Sequence, residues 1–294
     1  MGEQATAILL GLSAAICYGL ADFLGAAGSK KLGPITAACA VQILGLVGFG
    51  AWYLLAIHAV PHLSGSVAAA AVCGSGLVGL GLIFLYKAFA IGPVSLASPL
   101  GSAYPLVTVG VGVAFFHAML SGRQLAGIGL VVLGVMVATG ILSVKKSNRH
   151  LSQGPMFALL ASAAWGAGYP FIDYAVTRAG WQSILLVELV MLTLTSVVAL
   201  WLNRRDEHAN LRQTVMSLRN PYIIGAGLVQ LAATVLLNVG FVHDQTAGSL
   251  VVALTATYPI VTMSLALRHF KEDLSRSALL GAGATICGVV LMLL

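Results

Sequence analysis

The chain has 294 residues, of which 59% are hydrophobic and only 8% charged, with a net charge of +6. A soluble domain carries about 25% charged residues, so this chain has too few charges to cover a water-soluble globule, and its surface is suited to lipid. The Lys and Arg residues crowd the connections between apolar runs and form no basic face, which excludes a nucleic-acid partner. Cys17, Cys39, Cys73 and Cys287 all lie inside apolar stretches without a CxxC pair; they read as small hydrophobes, not as disulfides or metal ligands.

A spanning helix needs about 20 mostly apolar residues to cross a hydrocarbon core of about 30 Å. Ten segments meet that requirement, at 5–27, 34–57, 66–91, 93–116, 124–143, 153–177, 181–203, 221–243, 246–269 and 276–294. No basic stretch precedes the first, so no cleaved signal peptide is expected. The third and fourth segments are joined only by Ile91, Gly92 and Pro93. The polar stretch from Asn203 to Asn220 reads as an exposed connection, and Lys145 to His150 divides the chain near its middle. The expected fold is an all-α integral membrane protein of ten transmembrane helices in two units, residues 1–147 and 148–294.

The two units resemble each other. Shifting the chain by 154 residues places Ser95-Leu96 on Ser249-Leu250, Leu100 on Leu254, Tyr104-Pro105 on Tyr258-Pro259, and Val107-Thr108 on Val261-Thr262. Gly127, Gly129, Gly134 and Val135 fall on Gly281, Gly283, Gly288 and Val289, and in a slightly different register Tyr18-Gly19 matches Trp165-Gly166. Five helices is an odd number, so the second repeat enters the membrane from the opposite side. Inverted repeats are the architecture of many secondary transporters, with the site between the halves near the midplane.

On these residues the chain resembles a ten-helix, EamA-type member of the drug/metabolite transporter superfamily. The resemblance covers nearly the whole chain and rests on Tyr18-Gly19, Trp165-Gly166, the two Ser-Leu…Tyr-Pro frames, and Glu272 ahead of the Gly281/Gly288 helix. It implies a transporter with a central cavity lined mainly by helices other than the fifth and tenth. The sequence departs from the family's Gly-Glu pair, with Lys271 in place of the glycine and Ala118 at the matching position of the first half. Orientation is left open by two signals that disagree. If ten helices span, 12 of the 15 Lys and Arg residues lie on the side that carries the first loop. The positive-inside rule then places that side in the cytoplasm and both termini outside, whereas the resemblance implies cytoplasmic termini.

Charge inside a bilayer costs at least about 2.5–3.5 kcal/mol, so polar groups within the spans are the functional candidates. Asp22, Gln42 and Lys87 share a depth in the first half, where Asp22 and Lys87 are able to pair; Asp173, Glu188 and Asn238 lie towards the other side in the second. Each mouth of a cavity is thus expected to carry its own polar cluster. Glu188 is about seven residues inside its helix with no basic neighbour in sequence, which suits proton coupling. Asp22, Lys87 and Asp173 are equally compatible with interfacial roles. Tyr18, Tyr86, Tyr104, Trp165, Tyr169 and Tyr258 are candidate wall residues, since aromatic faces with polar tips suit amphipathic or cationic ligands. Core packing uses the same residues.

Other motifs fail on context. Gly74-Ser75-Gly76-Leu77-Val78-Gly79 fits GxGxxG but lies in an apolar span, where small residues serve helix packing. His58 and His62 flank Pro61 and do not suggest a metal site, and there is no GKS/T, GxSxG or HExxH motif. The expected function is a non-enzymatic secondary transporter without a cofactor. It would move small amphipathic metabolites such as amino acids or nucleobases, by export through alternating access. An uptake permease and a membrane-embedded lipid-handling protein or enzyme are the alternatives. The expected partners are a small-molecule substrate, the lipid bilayer and protons, in a bacterial plasma membrane, as a monomer or a homodimer.

Overall fold

The computed structural model describes residues 3–58, 61–116, 121–138, 149–203, 211–243, 251, 254–272 and 274–293. In chain order they form α1 (Glu3–Leu32), α2 (Pro34–Ile57), α3 (Gly65–Ile91), α4 (Val94–Gly101), α5 (Tyr104–Phe116), α6 (Gly122–Ala138), α7 (Arg149–Ala179), α8 (Trp181–Leu202), α9 (Leu211–Ser217), α10 (Pro221–His243), α11 (Pro259–His269) and α12 (Arg276–Leu293). No strand occurs among the described residues. Among the described residues six helices, α1, α2, α3, α7, α8 and α10, are long and apolar enough to cross a membrane, and parts of α6 and α12 are shorter apolar helices.

Large side chains face outward: Leu54, Leu55, Trp201, Leu202 and Leu280 are exposed, whereas Ala26, Ala37, Ala38, Ala161, Ala175 and Ala226 are fully buried. This inversion of the soluble pattern follows from the solvent. Lipid tails are as apolar as leucine, so helices associate through small residues that let backbones approach. The glycines at 74 and 79 act in this way. A Cβ at Gly74 would meet Phe171 of α7, and one at Gly79 would meet Thr195 of α8.

Two expected elements differ. The segment 93–116 is not one helix but two, α4 and α5, separated at Ser102 and Ala103. Pro105 has no amide to continue the ladder and its ring crowds the preceding turn. A similar turn at Ala256–Tyr258 precedes Pro259. The stretch 203–220, expected to be an exposed connection, contains α9, in which Thr214 and Ser217 are buried.

α1 packs along α10, α3 along α7, α2 along α8 and α6 along α12. The direction of the last pair can be read from its glycines. A Cβ at Gly134 would lie 2.5 Å from the Thr285 amide nitrogen, and one at Gly288 would lie 2.6 Å from that of Val131. Moving forward on α6 therefore means moving backward on α12, so the two are antiparallel. α2 and α8 are antiparallel by the same reasoning, since Gly45 meets Leu189 and Tyr53 meets Ser183. Gly33 and Gly180 each start the next helix at φ 87° and 81°, a left-handed geometry that glycine adopts without penalty.

Thr108 Oγ1 donates to the Gly166 carbonyl at 3.0 Å, and Thr262 Oγ1 to the Gly19 carbonyl at 3.1 Å. At both places the backbones nearly touch: an added Cβ would lie 2.5 Å from Val107 Cβ at Gly166 and 2.5 Å from Val261 Cβ at Gly19. Gly166→Val and Gly19→Val are each expected to cost about 1–3 kcal/mol by overpacking. Thermal unfolding in detergent checks this, and a melting temperature equal to that of the wild type would show that the contact yields.

Candidate functional site

Each of five helices contributes two wall residues four positions apart, the spacing that puts side chains on one face. α1 supplies Tyr18 and Asp22, α3 Val78 and Leu82, α7 Trp165 and Tyr169, α8 Glu188 and Leu192, and α10 Gln230 and Thr234. The two interrupted segments add Tyr104, Thr255 and Tyr258. Together they line a partly open cavity with about 550 Å³ of empty space, of which the centre of a water molecule reaches about 40 Å³. It is narrow, and among the described residues no Lys, Arg or His lines it.

The aromatic wall is fixed from behind. Trp165 Nε1 donates to the Val78 carbonyl at 3.0 Å, and Tyr18 donates to Thr234 Oγ1 at 3.3 Å, which in turn donates to the Gln230 carbonyl at 2.9 Å. Tyr104 lies 5.1 Å from Tyr169 and 6.3 Å from Trp165, edge to face with the latter; Tyr18 and Tyr258 are 6.4 Å apart. These spacings suit aromatic pairs and hold the rings in place.

Asp22 and Glu188 are the two carboxylates of the wall, with 5% and 4% of their surface exposed. Asn238 Nδ2 lies 3.4 Å from Glu188 Oε2 and also donates to the Thr234 carbonyl at 3.0 Å. Asp22 Oδ2 has no hydrogen-bond partner among the described residues.

Of the residues singled out in the sequence, Tyr18, Asp22, Tyr104, Trp165, Tyr169, Glu188 and Tyr258 meet at this cavity. Asn238 stands behind Glu188. Gln42 is buried on α2 outside the wall, and Tyr86 packs against Gly25 of α1. Asp173 is half-buried and outside the wall.

Two expectations are corrected. Lys87 does not pair with Asp22: it is exposed, with Nζ 4.6 Å from the centre of the Phe157 ring. Tyr86, the residue before it and about 100° around the helix, is the one turned towards α1. The polar groups also do not form one cluster at each mouth, since Asp22 and Glu188 face the same space. Gln230, Thr234 and Thr255 were not singled out. The first two have a signal, because Gln230, Thr234 and Asn238 recur every fourth residue on an otherwise apolar helix.

A second polar cluster closes one end of the bundle. Lys271 adopts φ 52°, a conformation that favours glycine, and turns Glu272 towards the start of α4. The Glu272 carboxylate accepts from the Val94 and Ser95 amides, both at 2.9 Å, and from the Ser95 hydroxyl, and lies 3.2 Å from Lys30 Nζ. It thus caps a helix that has no side-chain cap of its own. Burial alone would raise this carboxyl's pKa. The donors from Ser95 and Val94, with Lys30, outweigh burial and hold it below the ordinary value.

The sequence profile of the EamA-like transporter family matches the chain twice, over residues 5–140 and 152–294. A crystal structure described only as that of a protein is 17% identical, with 97% of this chain and 94% of that one aligned at a TM-score of 0.64. At that identity the likeness speaks for the fold alone. No curated protein matches the chain. Two matches that together span nearly the whole length, on a bundle of membrane-length apolar helices, show that the chain belongs to the EamA-like transporter family, a group of multi-pass membrane transporters of the drug/metabolite superfamily.

Proposed function

We propose that the protein is a secondary transporter of ten spans, arranged as inverted repeats of residues 1–147 and 148–294, that exports small amphipathic metabolites across a plasma membrane by rocking of the repeats. The observation that carries this reading is the cavity walled by helices of both halves, with two carboxylates facing it. The antiparallel pairing of α2 with α8 and of α6 with α12 supports inversion, because these are the corresponding helices of the two halves. In this arrangement α4 with α5 is the fourth span, and α11 ends the ninth. The polar cluster around Glu272 adds support from topology. Lys30, Val94 and Glu272 belong to the first, third and ninth connections, which ten alternating spans place on one side of the membrane.

Glu188 is the proposed proton carrier. It faces a cavity that substrate would enter, so proton and substrate compete for one place. The groups around it are Tyr18, Tyr169 and Asp22 across the cavity and Asn238 behind. The test is a thermal-shift screen of the purified protein against a metabolite library, followed by flux into liposomes for each compound that stabilises. At least one such compound is expected to enter protein-containing liposomes faster than empty ones. Stabilising compounds that are chemically altered and not moved would favour a membrane-embedded enzyme instead.

A further inference from the structure

We infer that the cavity selects organic cations with a flat or apolar body, and disfavours zwitterions and anions. This rests on the transporter reading and narrows its substrate class. The first ground is charge. Asp22 and Glu188 line the space, and no basic side chain does among the described residues. Asp22 Oδ2 is buried and has no donor among the described residues, so the site leaves an acceptor open to a donor group such as an ammonium.

The second ground is the aromatic wall. Cations bind ring faces, most strongly where water is excluded. The protein's own cations that lie over rings do so elsewhere: Lys30 over Phe270, Lys31 over Tyr222, Lys87 over Phe157 and Arg178 over Tyr174. Among the described residues no protein cation lies over the rings of Tyr18, Tyr169 or Tyr258 in the cavity.

The third ground is what an anionic group would lack. Helices that start inside a membrane often present free amides to substrate carboxylates. Here Pro105 and Pro259 stand at those starts and have no amide hydrogen. The Ala103 and Leu106 amides bond to Leu100 and Ala103, and the Thr257, Tyr258 and Ile260 amides bond to Leu254, Thr255 and Thr257. The Trp165 indole N–H is held by the Val78 carbonyl. A free amino acid would find carboxylates for its ammonium, and for its own carboxylate only neutral donors, the wall hydroxyls and the Gln230 amide.

The test is direct binding to the full-length protein in detergent, with trimethylphenylammonium as the cation, dimethylaniline as its neutral relative, and phenylalanine and benzoate as the zwitterion and anion. The cation is expected to bind on the order of tenfold tighter than the other three. Asp22→Asn and Glu188→Gln should each weaken it by about as much, with no change in the melting temperature of the ligand-free protein. Tyr169→Leu, which removes a ring without removing charge, should also weaken it. Equal or tighter binding of phenylalanine, no binding of the cation, or unchanged cation binding in both carboxylate variants would overturn the inference. Phenylalanine flux in liposomes without cation binding would overturn the ligand class and leave the transporter reading standing. Cation-selective binding with no flux of any probe would support the class and overturn transport.

Discussion

Glu188→Gln is expected to abolish uphill accumulation of substrate driven by a pH gradient, while exchange of substrate between the two sides persists at substrate concentrations high enough to offset the weaker binding. The amide keeps the volume and a donor for the site but can neither take up nor release a proton. Asn238, whose amide reaches Glu188 Oε2 at 3.4 Å, still has the Thr234 carbonyl as a partner, so the fold should tolerate the change. The measurement is accumulation in liposomes under an imposed pH gradient, compared with counterflow in the same vesicles. Asp22→Asn is the necessary companion, since Asp22 faces the same cavity and is not neutralised by Lys87. Loss of gradient-driven transport in Asp22→Asn but not in Glu188→Gln would move the proton to α1. Normal coupling in both would mean facilitated transport or another ion.

Glu272→Gln is expected to destabilise the protein by about 1.5–3 kcal/mol, the range for hydrogen bonds to a charged group. The amide can face only one oxygen towards the donors of Val94 and Ser95. Lys30→Ala should cost only about 0–1 kcal/mol, because its side chain is one-third exposed and such pairs are screened. The sign of the pH effect follows from the lowered carboxyl. With its folded value below the unfolded one, near 4.3, the stabilisation is complete above the unfolded value and is lost as pH falls through the folded one. Thermal melts from neutral to acid pH compare the two: the gap between wild type and Glu272→Gln should shrink on acidification. Equal melting temperatures at neutral pH would show that the cap contributes nothing.

Composition and segment length made the all-helical membrane fold legible, because the bilayer fixes how long an apolar run must be. The two Tyr-Pro frames mark the interrupted segments, but not the break itself; a proline in an apolar run can bend a helix or end it. The aromatic wall and its two carboxylates were legible as residue types. Their arrangement was not. In a helix apolar all round, lipid and protein make nearly the same demand on a side chain, so sequence gives little sign of which way it points. Lys87 was placed opposite Asp22 by depth alone, and the rotation of α3 carries it to Phe157. Gln42 drew notice as a polar group within a span, yet α2 turns it away from the cavity.

The central claim is that this cavity opens to both sides of the membrane in turn. Leu192 lies on its wall and is 5% exposed, and Leu192→Cys in a variant lacking Cys17, Cys39, Cys73 and Cys287 reports on access to it. The measurement is modification by a membrane-impermeant thiol reagent added to one face or the other of oriented vesicles. Modification from either face, slowed by a bound substrate, is the predicted result. Modification from one face only, with and without substrate and with a gradient of either sign, would contradict alternating access.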